Sequence, residues 1–164
     1  MVLGQLVMMY NQGALNIKHE KGEKTAVMGG VKITEEQAKI IVNQLGWTEY
    51  YLHPFEIIDK TAKFIRGIKG VLTDDAMLNN TVIEFQNHRS KTYGKTFDRI
   101  HIINNGVFSV SVIYGMEGNS SPYVIYDSFT SVPLQKCRNL KKVAEYLVTL
   151  NKYITKYRRK QLWN

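Results

Sequence analysis

The sequence predicts an α+β fold, and three observations predict it. Apolar residues recur at spacings of three and four through 35–68 and again through 140–157, as one face of a helix requires. Between 99 and 131 the texture changes to runs rich in β-branched and aromatic residues, with Asn105-Gly106 between the first two. Glycines punctuate the first thirty residues and flank short β-prone runs. The expected architecture has N-terminal short strands with a hairpin, three helices, a three-stranded antiparallel meander, and a long basic amphipathic C-terminal helix packed on the sheet. The 164 residues suit a single domain over 1–164, with subregions at 1–70 and an αβββα unit at 73–164.

Each element has a local reason. The apolar run Met1–Tyr10 is too short to cross a bilayer and lacks a basic leader, so it reads as a buried strand. Leu15–His19 and Thr25–Met28 flank Lys21-Gly22 as a hairpin would, and Gly29-Gly30 breaks the chain. A helix follows over about 35–45, with Thr34 and Gln37 in a capping-box pattern and Gly46 as its stop. Pro54 suits the first turn of the next, because its missing donor is not needed there. Phe55, Ile58, Ala62 and Ile65 form its apolar face, and Gly67 and Gly70 close it. Thr73 is the expected cap of a third helix running to about His88 and burying Leu78, Val82 and Phe85. Three strands follow at Arg99–Asn104, Val107–Tyr114 and Tyr123–Ser131, with a loop over Gly115–Pro122 and a stop at Pro133. In the second strand Phe108, Val110, Val112 and Tyr114 share one face.

The final helix is expected over about 139–162. Its seam is Leu140, Val143, Leu147, Leu150, Ile154 and Tyr157. Packing on the chain's own sheet is one reading of that seam; a coiled-coil homodimer of the distal half is the other. At ~24 residues this helix spans ~36 Å. A strand of ~8 residues spans only ~27 Å, so the last turns should overhang the sheet.

Charge is segregated onto this segment. Lys136–Lys160 holds nine basic residues and one acid, Glu145, a net of +8, whereas residues 1–135 hold thirteen of each sign. A neutral body with a cationic end implies an anionic partner. The expected phosphate contacts are Arg138, Lys141, Lys142, Lys152, Lys156, Arg158, Arg159 and Lys160. Tyr146, Tyr153, Tyr157 and Trp163 are interleaved and can stack on bases where they are not buried.

Motifs for catalysis or metal binding are not evident. Tyr93-Gly94-Lys95-Thr96 looks like the end of a phosphate-binding P-loop, but Arg89 stands where that motif needs glycine. His19, His53, His88 and His101 lack the close ligand spacing of a zinc site, and Cys137 has no cysteine partner. Asp98 and His101, three apart on a strand, point to opposite faces. Asn79-Asn80-Thr81 and Asn119-Ser120-Ser121 match the glycosylation triplet by chance. No catalytic residue, cofactor or metal is therefore expected.

From Thr73 onward the order helix–strand–strand–strand–helix is similar to a double-stranded-RNA-binding domain. Lys141-Lys142-Val143-Ala144 resembles the Lys-Lys-x-Ala start of that family's second helix, which meets phosphates. A three-stranded sheet followed by a helix is equally similar to plant-type and integrase-arm DNA-binding domains, which read DNA through the sheet. The resemblances imply a nucleic-acid partner.

The expectation is a small intracellular, cytoplasmic, non-enzymatic protein that binds nucleic acid or a nucleoprotein through its basic C-terminal helix, without a membrane role. The alternative is a protein-binding regulator or inhibitor with an acidic partner. That class includes phage-type or mobile-element factors acting on a nucleic-acid-processing enzyme, such as an anti-defence inhibitor.

Overall fold

The computed structural model describes residues 1–20, 22, 25–47, 52–89, 96–115 and 122–163. Of residues 158–163, and of 19, 88 and 96, it describes the backbone alone. The described residues form five helices and two antiparallel sheets. They are α1 (Leu3–Asn11), β1 (Ile17–His19), β2 (Ala26–Met28), β3 (Val31–Ile33), α2 (Glu35–Gln44), α3 (Pro54–Ile68), α4 (Asp75–Asn80), β4 (Thr81–Arg89), β5 (Thr96–Asn104), β6 (Phe108–Tyr114), β7 (Tyr123–Asp127), β8 (Pro133–Cys137) and α5 (Leu140–Trp163). The small sheet has the order β1-β2-β3 and the large one β4-β5-β6-β7-β8.

The small sheet contains the expected hairpin and adds a strand. Met28 pairs with Val31 across Gly29-Gly30. Both glycines have positive φ, 56° and 82°, the conformation that a two-residue hairpin turn demands and that side chains resist. The glycine pair thus reverses the chain rather than merely breaking it. Lys21 in the other hairpin turn lies outside the described residues.

Two helices form where local signals placed them. Thr34 Oγ1 accepts from the Gln37 amide at 3.3 Å while Gln37 Oε1 accepts from the Thr34 amide at 2.9 Å, closing the capping box of α2. Pro54 opens α3, and His53 Nδ1 accepts from the Phe55 amide. Eight residues of α3 are buried, including Phe55, Ile58, Phe64 and Ile65, so it is the central helix.

Three expectations are corrected. Residues 3–11 form a helix, not a strand: Leu3 and Leu6 are buried, three apart, and the helix packs on α3, α4 and β4. The predicted helix from Thr73 to His88 stops at Asn80, and its cap is Asp74, whose Oδ1 accepts from the amides of Ala76 and Met77. Beyond it Ile83, Phe85 and Asn87 are buried alternately, a period of two, and pair in register with β5 over nine positions. Pro133 begins an edge strand instead of ending one, a place where its missing N–H is harmless. The sheet therefore has five strands, not three, and the αβββα order behind the double-stranded-RNA-binding likeness is absent. The predicted loop at 115–122 and the P-loop-like Tyr93-Gly94-Lys95 fall mainly outside the described residues, as does Asn119-Ser120-Ser121.

The large sheet has two unlike faces. Ile83, Phe85, Ile100, Ile102, Phe108, Val110, Val112 and Ile125 face the helices and join their core. The opposite face carries Glu84, Arg99, His101, Ser111 and Ile113. Among the described residues no helix is long and apolar enough to cross a membrane.

Candidate functional site

Asn139 starts the basic helix: its Oδ1 accepts from the Lys142 amide at 2.9 Å. The first turns dock. Val143 and Ala144 are fully buried and Leu147 is 2% exposed, and α5 packs on α3, β6, β7 and β8. A close approach makes this possible. A Cβ on Gly67 of α3 would lie 2.5 Å from the Leu140 Cβ, well inside carbon–carbon contact. Glycine lets the start of α5 press against α3.

Burial then fades along the seam. Leu140, Leu150 and Ile154 are half-buried, and Tyr157 is 53% exposed. Leu147 is the last buried residue of α5 among those described. Lys152, Tyr153, Lys156 and Tyr157 are all exposed, at spacings that put them on one side of the helix. Two lysines and two tyrosines thus make alternating columns on the distal surface. Tyr146, by contrast, is half-buried beside Cys137; burial, then the thiol, pushes its hydroxyl pKa up. It is not a free stacking surface.

Arg138 and Lys141 are exposed at the corner between β8 and α5. Lys142 is exposed but bonded to Glu145 at 3.1 Å, the acid of its own helix. Among the described residues, no carboxylate of the body pairs with Arg138, Lys141, Lys152 or Lys156. Arg158, Arg159 and Lys160 continue the helix; their side chains lie outside the description. The expected site residues therefore fall into two groups, one at the start of α5 and one along its distal half.

A second feature has no local sequence signal. Trp47, Phe64 and Phe85 meet behind a cavity of about 270 Å³ that Lys60, Lys63, Asp98, Tyr114, Tyr123 and Leu140 also line. Trp47 stacks on Phe85 at 5.4 Å between centroids, and Phe64 meets Phe85 edge-on at 5.5 Å. Asp98 accepts from Lys60 Nζ at 2.6 Å and from Asn87 Nδ2 at 2.8 Å. Tyr114 and Tyr123 form a tilted pair at 4.8 Å. Burial, then the neighbouring Tyr114 and Asp98, pushes the Tyr123 pKa up to about 12, so its hydroxyl keeps its proton.

On the opposite sheet face Glu84, His101 and Ser111 sit in register on β4, β5 and β6. Ser111 Oγ lies 2.9 Å from His101 Nδ1 and 3.2 Å from Ser128 Oγ. An acid–histidine–serine row invites a catalytic reading. A nucleophile, however, must reach its substrate, and Ser111 is 7% exposed with its hydroxyl already shared. The row is a cross-strand polar network. Asp98 and His101 do take opposite faces. Among the described residues no three His, Cys, Asp or Glu side chains gather as metal ligands would.

Comparison with protein-family models, with curated proteins and with solved structures finds no match to this chain.

Proposed function

We propose that this chain is a cytoplasmic nucleic-acid- or nucleoprotein-binding protein that works through α5 and performs no catalysis. One observation carries the reading: the distal half of the helix presents Lys152, Tyr153, Lys156 and Tyr157 outward, and no described carboxylate of the body pairs with either lysine. Lysines so placed neutralise phosphates and release counterions. The Tyr153 ring, 69% exposed, offers a flat surface on which an unpaired base stacks.

Salt dependence tests it. Each lost phosphate contact lowers the slope of log affinity against log salt by about 0.9 on duplex DNA. A Lys152→Ala/Lys156→Ala variant should therefore lose about 1.8 of slope, equivalent to about 12-fold less weakening between 50 and 200 mM salt. Lys142→Ala, whose charge is already met by Glu145, should change the slope less. Identical slopes for wild type and the double variant would overturn the proposal.

A protein partner is the second reading, and the β7–β8 turn favours it. Asp127 Oδ1 accepts from the amides of Phe129 and Thr130, both at 2.9 Å, and from Thr130 Oγ1 at 3.1 Å. The braced turn holds Phe129 out at 86% exposure, near Val132 at 52%. Isolated apolar side chains are ordinary on surfaces, but two in one short turn, the larger on a turn fixed by hydrogen bonds, offer a protein partner apolar area to cover. A partner retained after nuclease treatment and lost in Phe129→Ser supports this reading, whereas loss of every partner with nuclease supports the first.

A further inference from the structure

We propose that the aromatic cleft between α3, the large sheet and the start of α5 holds one unpaired nucleotide, its base inside and its phosphate on Arg138 and Lys141. The chemistry of the walls selects the ligand. On the cleft wall the Asp98 carboxylate is held in a fixed direction by Lys60 and Asn87. Each of its oxygens accepts one described side-chain bond and can accept a second. The cleft thus sets the Asp98 acceptor and the Lys60 and Lys63 donors beside the Tyr114–Tyr123 pair, the complement of a heterocyclic base with its polar edge.

Other ligand classes fit worse. A plain hydrocarbon would strip water from Lys63 and the Lys60–Asp98 pair without meeting their remaining hydrogen-bonding capacity. A cation, which an aromatic cage otherwise suits, meets Lys63 on the wall, and the Asp98 carboxylate that would attract it is already paired with Lys60. The cavity, about 270 Å³, lies just below the usual range of ligand sites, which starts near ~300 Å³. That scale suits one ring system rather than a larger cofactor.

The anionic part has its own place. A second cavity of about 400 Å³ shares Tyr114, Tyr123 and Leu140 with the first and is edged by Arg138 and Lys141. Both cations are exposed, and neither has a described carboxylate partner. Base and phosphate sites therefore adjoin across the two tyrosines. A base must leave its pair to enter, so the cleft prefers single strands.

The inference rests on the nucleic-acid reading of α5 for its source of ligand, and a free mononucleotide would offer the same chemistry. Fluorescence anisotropy on the full chain with a labelled single strand and a duplex of equal length separates these, with unlabelled nucleoside monophosphates titrated by calorimetry. Tyr114, 42% exposed, can be changed without emptying the core. Tyr114→Ala should weaken single-strand binding about 5- to 150-fold, the range of one lost stacking contact, and leave duplex binding unchanged. Tyr114→Phe should restore it, and Lys152→Ala/Lys156→Ala should weaken both. Single-strand binding untouched by Tyr114→Ala overturns the cleft while the α5 reading survives. Monophosphate binding lost in Tyr114→Ala, without strand binding, supports the cleft and overturns α5. No binding of strand, duplex or monophosphate overturns both.

Discussion

A helix that docks by its first half and leaves its second half exposed must show that division in its energetics. Leu147→Ala removes a side chain that is 2% exposed, beside the fully buried Val143 and Ala144. Truncating a buried leucine costs about 2–5 kcal/mol, through lost transfer energy and the cavity left behind. Unfolding entropy of about 2.1 cal/mol/K per residue gives about 0.34 kcal/mol/K for this chain of 164 residues, or about 3 °C per kcal/mol. At a mid-range ~3 kcal/mol, Leu147→Ala should lower the melting midpoint by about 9 °C. Tyr153→Ala, at a residue 69% exposed, should stay within about 0.5 kcal/mol, under about 2 °C. Thermal unfolding followed by far-ultraviolet circular dichroism resolves the difference. Equal losses at the two positions would refute the reasoning, because the distal face would then be packed and unable to meet a ligand.

Three further outcomes are expected. Gly67→Ala gains about 1 kcal/mol of helix propensity, but its Cβ would lie 2.5 Å from the Leu140 Cβ. Overpacking of up to about 3 kcal/mol should win and lower the midpoint by several degrees; a raised midpoint would contradict the close α3–α5 approach. Burial, then Arg99, holds His101 below its ordinary 6.5, with Glu84 opposing. The unfolded chain binds that proton first, so this stability is present above 6.5 and lost as pH falls below it. His101→Gln should show a smaller loss of midpoint than wild type on acidification through that window, and parallel curves would count against it. Cys137 is 5% exposed, and burial pushes its thiol pKa up, so alkylation should be slow in the native chain and fast in denaturant. Equal rates would place the thiol at the surface.

The sequence disclosed those elements whose determinants are local. The capping box at Thr34, Pro54 at the first turn of α3 and the Asn105-Gly106 hairpin each act within a few residues, and each formed. The errors lie where distant pairing decides. Val82 and Phe85 are three apart and read as a helical face. The strand Thr81–Arg89 prevails because nine register pairs with β5 bury Ile83, Phe85 and Asn87 in alternation. Strand β8 gives almost no signal, since Leu134, Gln135 and Lys136 are all exposed at the sheet edge. The same division holds for the candidate site. The cationic helix is written in consecutive residues. The aromatic cleft draws on α3, β4, β5, β6, β7 and α5 together with Trp47, so nothing in any one segment announces it.

The two candidate surfaces share one helix, and that places a geometric demand on the ligand. Lys141 borders the cleft and Lys156 stands on the distal face, fifteen residues apart, or about 22 Å along the axis. That exceeds the Debye length of about 8 Å at physiological salt, so the two charge clusters act as separate sites rather than one field. Stacked strands carry a phosphate about every 3.4 Å. A strand seated in the cleft must therefore extend about six or seven nucleotides before a phosphate reaches Lys156. Shorter strands engage the cleft alone, and longer ones gain the helix as a tethered second contact. Affinity plotted against strand length should rise sharply at that length in wild type and lose the rise in Lys152→Ala/Lys156→Ala. A smooth curve, with Tyr114→Ala and Lys152→Ala/Lys156→Ala both still impaired, would mean that the cleft and the helix bind different molecules.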